Sequence, residues 1–112
     1  MADVNVIVGQ AGPLPIKVSA EIDSDGPAVL TLAGSVWTPT EDRMIGVSLA
    51  IDGQPPAVSA RIFSNGSSTH RAVVPITFPY TFTIGTHPFV LEPMTADTTS
   101  DGNDFFVLTV QY

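Results

Sequence analysis

With 112 residues, 44% of them hydrophobic, the chain is long enough to bury one core, which excludes wholesale disorder. Four Lys and Arg against eleven Asp and Glu leave a net charge of −7, so it lacks the basic surface that a nucleic acid or an anionic membrane requires. Cysteine is absent, which removes disulfides, thiolate metal sites and thiol nucleophiles.

The chain starts Met1-Ala2-Asp3-Val4, with neither the basic nor the apolar region of a signal peptide, and nothing approaches the ~20 apolar residues of a membrane span. A soluble domain over residues 1–112 is expected, made in the cytoplasm and tied to a particle or surface only by another route. Gly9 to Pro15 reads as a loop behind a short first strand. Ile16, Val18, Ala20 and Ile22 then alternate with polar residues, the period of a half-buried strand. The turn Asp23-Ser24-Asp25-Gly26-Pro27 leads into a strand from Ala28 to Trp37, with Leu30, Leu32 and Val36 on one face. Ile45, Val47, Leu49 and Ile51 run into Asp52-Gly53, a hairpin signal. Pro55-Pro56 follows, and Val58, Ala60 and Ile62 resume the alternation up to Asn65-Gly66-Ser67. That sequon is read as a turn.

Ala72 to Ile84 is the longest strand predicted, with Pro75 and Pro79 on one face and six apolar residues on the other. Each proline removes a ladder donor, so an edge strand or two strands meeting at a bend is expected. Gly85-Thr86-His87-Pro88 is read as a turn, and Phe89–Met94 and Asp104–Tyr112 as the arms of a final hairpin. No ten residues carry helical spacing free of Gly or Pro, so no substantial helix is expected. The sum is an all-β antiparallel sandwich of jelly-roll type with about 7–9 short strands.

From Val47-Ser48-Leu49-Ala50-Ile51-Asp52-Gly53, through the aromatic-rich Pro75 to Phe82, to Gly85-Thr86-His87-Pro88-Phe89 and the Val-rich close, the order resembles the small jelly rolls of tumour-necrosis-factor and complement globular heads. Such modules occur on bacterial and phage surface or tail proteins. The resemblance covers roughly Met44 to Tyr112 and implies an often trimeric module used for recognition or architecture.

The segment Asp97 to Asp104 concentrates oxygen donors: Asp97, Asp101, Asn103 and Asp104 are the residues that a calcium ion would take. Its spacing is not that of an EF-hand, and the plainer reading is a solvated loop whose Asp and Asn side chains bond their own backbone. His70 and His87 have no carboxylate beside them in sequence and are read as surface or packing residues. No nucleophile elbow is present, and the paired acids Glu41-Asp42 and Asp23/Asp25 lie in turns, so catalysis is not expected. Trp37 falls on the face opposite Leu30 and Leu32, where it can stack on a sugar or fill an interface; burial after a register shift is the alternative. Phe105 and Phe106 must point to opposite faces, which makes the last strand apolar on both sides and favours self-association. The expected function is a non-enzymatic, homo-oligomeric structural or adhesive module, a trimer by preference, from a phage particle or bacterial surface. It needs no cofactor. Phe105 and Phe106 are its interface candidates; the alternative is a small carbohydrate-binding lectin using Trp37, Tyr80 or the acidic loop, calcium-dependent where that loop takes the ion.

Overall fold

The computed structural model describes residues 4–54 and 58–112, so Met1-Ala2-Asp3 and Pro55-Pro56 lie outside the described residues. Among the described residues the period-two alternation becomes nine strands: β1 (Val4–Ala11), β2 (Ile16–Ile22), β3 (Gly26–Val36), β4 (Arg43–Ile51), β5 (Val58–Ser64), β6 (Arg71–Ala72), β7 (Ile76–Phe82), β8 (Gly85–Pro93) and β9 (Phe105–Gln111). Among the described residues there is no helix. One sheet runs β1-β9-β3, with β6 and β7 both on the outer edge of β3; the other runs β2-β8-β4-β5. Every pairing is antiparallel.

Counting β6 and β7 as one interrupted strand, the chain changes sheet at every connection except the β4–β5 hairpin. That path is a jelly roll. The core lies between the sheets and is made of their alternate residues: Leu30 and Leu32 of β3 and Leu108 and Val110 of β9 face Ile45, Val47 and Leu49 of β4 and Leu91 of β8, all fully buried.

The prolines act as the sequence suggests. Around Pro75 the β3 edge strand breaks: the Val73 amide still donates to the Gly34 carbonyl at 2.9 Å, while the Val74 amide turns to the Arg61 carbonyl of β5 at 3.1 Å. That second bond closes one flank of the sandwich. Pro79 sits on β7, an edge, where a missing donor is tolerated. The Asp52-Gly53 turn also forms, with φ of 58° and 72°, as a primed hairpin turn demands.

Three expectations need correction. Gly9 to Ala11 is not loop but strand, because the β1–β9 ladder absorbs a bulge between Val6 and Val8 and continues to Ala11↔Phe105. Gly85 to Pro88 is not a turn but the start of β8, paired with Ile22 to Ser19. Pro88 is tolerated there because the β4 ladder stops at Ile51↔Phe89, one residue short of it. Most consequentially, β8 and β9 are no hairpin: they lie in different sheets, and residues 94–104 carry the chain across the end of the sandwich.

Phe105 and Phe106 do face opposite ways, with Phe105 52% exposed and Phe106 fully buried. The Phe106 ring lies on Gly34, where a Cβ would meet its Cδ1 at 2.6 Å. A ring locked in a core cannot yield that distance, so Gly34→Ala is expected to destabilise the fold by about 1–3 kcal/mol, read by urea denaturation. An unchanged midpoint would mean that Phe106 has room to move.

Candidate functional site

At one end of the sandwich the β3–β4 loop, the β5–β6 loop and the 94–104 crossover meet. Trp37 follows the last residue of β3 and is joined to the crossover by a reciprocal bridge: its amide donates to the Thr99 carbonyl at 2.9 Å, and the Thr99 amide returns a bond at 2.8 Å. The indole is half-buried and leans on the His70 ring, centroids 5.9 Å apart at 46°. Its Nε1 is buried without a hydrogen-bond partner.

Asp104 holds this end together. It is fully buried, and its carboxylate accepts from Ser35 Oγ at 2.8 Å, His70 Nδ1 at 2.6 Å and the Asp101 amide at 2.9 Å. The Gly12 amide donates to its carbonyl at 2.8 Å, which ties in the β1–β2 loop. Asp101 Oδ2 lies 3.7 Å from His70 Nε2 on the open side, with a side chain 43% exposed. The bond to Asp104 and the charges of Asp104 and Asp101 raise the His70 pKa above its ordinary 6.5, against a smaller pull from burial.

Ser35, Asp104 and His70 are the residue types of a hydrolytic triad joined in the wrong order. The hydroxyl donates to the carboxylate and not to the imidazole, so no base stands ready to activate it.

The four residues read as calcium ligands do not converge. Asp97 is turned to Arg43, whose Nε lies 3.3 Å from its carboxylate, and Asn103 donates only its backbone N–H, to Asp101 Oδ1 at 2.9 Å. His70, Asp101 and Asp104 bring ligand atoms within 4.8 Å of one another, yet the Asp104 oxygens already serve three donors. Calcium needs six to eight oxygens, and this set does not fit it. Millimolar calcium is therefore expected to leave the melting temperature unchanged in differential scanning calorimetry; a rise of several degrees would show that the loop rearranges to take the ion.

The second histidine builds a separate cluster at the opposite end. His87 of β8 is buried, its Nδ1 2.7 Å from Asp52 Oδ1 and its Nε2 2.7 Å from the Thr83 carbonyl. Tyr80 donates its hydroxyl to Asp52 Oδ2 at 3.3 Å and packs on Phe82 at 4.7 Å. Burial first, and the Asp52 carboxylate second, push the Tyr80 phenol above its ordinary 10.0. Trp37 and Tyr80 are thus separated by most of the length of β3 and cannot share one ligand. Read as surface or packing residues, the histidines gave no sign of either cluster, since their carboxylate partners stand 34 and 35 positions away in sequence; His87 does pack, its ring 5.1 Å from that of Phe82.

No family model and no curated protein matches the chain. Solved structures do. The structure of dimeric latent PorU from Porphyromonas gingivalis superposes on 98% of the chain with a TM-score of 0.61 at 7% identity, and the chain spans only 12% of that protein. The EclA C-terminal domain, described as a sugar-binding protein, superposes on 98% with a TM-score of 0.51 at 17% identity, over 76% of its own length. A CBM36-1 domain of a multidomain xylanase from the hindgut metagenome of Trinervitermes trinervoides gives 0.45 at 20% identity, covering 98% of this chain and 96% of that one. At these identities the first two show a likeness of fold alone.

Proposed function

We propose that the chain is a non-catalytic binding module that takes a carbohydrate at the Trp37–His70–Asp101 end. One observation carries this reading: a half-buried indole and a partly exposed carboxylate both stand against the His70 ring, which the buried Asp104 holds in place. Sugars offer an apolar C–H face and adjacent hydroxyls, and a site with one aromatic platform and a few fixed polar groups matches both. The sugar-binding description of the structurally similar EclA domain supports the same class of ligand.

Trp37 is the only tryptophan, so its emission reports this site alone. A panel of neutral oligosaccharides titrated against that emission is expected to give at least one saturable change. Asp101→Ala is expected to weaken the response at least about tenfold, with the melting temperature held within a few degrees. A panel silent in fluorescence and on a glycan array would overturn the reading.

A second reading, an assembling architectural or adhesive module of a phage particle or bacterial surface, is favoured by a different observation. Phe105, the first residue of the central strand β9, stands 52% exposed on a sheet face. The resemblance of Met44 to Tyr112 to tumour-necrosis-factor and complement heads points the same way and suggests a trimer. Light scattering after size exclusion tests it: a monomer at every concentration would remove it.

A further inference from the structure

The outer face of the β1-β9-β3-β7 sheet is unlike the rest of the surface. A row of paired residues crosses all four strands, Val6↔Thr109↔Thr31↔Thr77, with Thr31 and Thr77 hydroxyls 3.2 Å apart. Val29 and Phe105 stand on the same face, 42% and 52% exposed, and Val6 is 66% exposed. No described residue that these four strands turn outward is charged, although the chain carries a net −7. Most of the described acidic residues lie in the turns and in the 94–104 crossover, while the outer face of the other sheet carries Lys17, Glu21, Arg61 and Glu92.

The geometry points to a second copy of this chain as the occupant of that face, packed sheet on sheet about a two-fold axis. This rests on the self-association reading above, names its surface, and makes the assembly a dimer in place of the trimer that the resemblance suggests. Two molecules of the same negative sign repel wherever their charges meet, and this face is where they can approach without that cost. A two-fold pair presents the same patch to itself, so the patch must be self-complementary. Threonine hydroxyls both donate and accept, and valine and phenylalanine pack against their own kind. Four strands ~4.8 Å apart and roughly eight residues long give a face of ~19 by ~25 Å, so a pair hides on the order of 1,000 Å². That is close to the lower bound of a specific interface and corresponds to weak, micromolar pairing.

Sedimentation equilibrium on the whole chain, from about ten to about five hundred micromolar, tests this. The expected result is a monomer–dimer equilibrium. Thr31→Glu at the centre of the face is expected to raise the dissociation constant at least about tenfold, and Ser19→Glu on the outer face of the other sheet to leave it unchanged. Phe105→Ser repeats the test without adding charge, should Thr31→Glu disturb folding as read by circular dichroism. A monomer throughout would overturn both the interface and the self-association reading. A dimer or trimer that survives Thr31→Glu and Phe105→Ser would overturn this face alone, leaving self-association intact through another surface.

Discussion

Replacing Asp104 by alanine is expected to cost about 3–5 kcal/mol of folding stability, the largest effect of any single change at the Trp37 end. The carboxylate is fully buried and is the common acceptor for a hydroxyl, an imidazole and a backbone amide drawn from three separate parts of the chain. Removing it leaves the Ser35 hydroxyl and the Asp101 amide facing a void, where each buried donor without a partner costs about 1–3 kcal/mol, and frees the exposed His70 ring that Asp104 anchors. Asp104→Asn is the finer probe. The amide oxygen keeps the acceptor that Ser35 and His70 share, but its NH2 then faces the Asp101 N–H, so an intermediate loss of about 2 kcal/mol is expected. Urea denaturation of both variants gives the comparison, and a loss under about 1 kcal/mol for alanine would show that water replaces the carboxylate without penalty.

The same pair of variants links fold to function. His70 and the Asp101 turn are held by Asp104, and Trp37 rests on His70. Asp104→Asn is therefore expected to blunt any carbohydrate response of the Trp37 emission before the protein unfolds. Asp101→Ala should act on binding with little effect on stability. Asp104 is a positioning residue; Asp101 and Trp37 are the residues proposed to touch the ligand.

How much of this is legible in the sequence depends on how local each cause is. Period-two alternation is local, so the strands around Leu30, Val47 and Ala60 announce themselves, as does the Asp52-Gly53 turn with its two positive φ angles. The partner of each strand is not local. Phe89–Met94 and Asp104–Tyr112 both have strand composition and a polar segment between them, which is what a hairpin looks like, yet a jelly roll sends them to opposite sheets. Proline misleads in a similar way: Pro88 suggests a turn, and only the ladder ending at Ile51↔Phe89 explains why a strand accepts it.

The site is less legible than the fold. The acidic loop is visible as a concentration of oxygen donors, but composition does not say where those oxygens point. Asp97 turns to Arg43, while Asp104, the last acid of the run and next to the paired phenylalanines, is the one drawn into the interior. Its burial follows from Phe106, whose insertion in the core drags the start of β9 inward. Trp37 offered two readings, exposed or buried, and the structure takes a middle course: the bridge to Thr99 ends β3 and sets the ring against a histidine from a loop far away in sequence.

His87, at the other end, should make the protein less stable as pH rises from about 6 to 8. Both ring nitrogens lie 2.7 Å from acceptors, the Asp52 carboxylate and the Thr83 carbonyl, so both must carry a proton for both bonds to exist. The Thr83 carbonyl first, and the Asp52 carboxylate with it, raise the pKa above the ordinary 6.5, outweighing the opposing effect of burial. A native pKa above the unfolded value means that the stabilisation is fully present below about pH 6.5 and lost as pH rises through the native value. Deprotonation turns one 2.7 Å bond into two oxygen- and nitrogen-centred lone pairs in opposition, between the β4–β5 turn and the β7–β8 corner. A charge-assisted bond contributes about 1.5–3 kcal/mol, and with the Asp52 side chain 35% exposed the effect belongs at the low end, about 1–2 kcal/mol. For a domain of this size that is roughly 5–10 °C in melting temperature. His70 contributes with the same sign, so the two must be separated. His87→Gln is expected to flatten most of the slope between pH 6 and 8, and His70→Gln to leave that part in place. Carbon-13 NMR titration of the two rings assigns each step directly. A His87 ring that titrates at or below 6.5 while the protein stays folded would show that the two acceptors do not hold its proton.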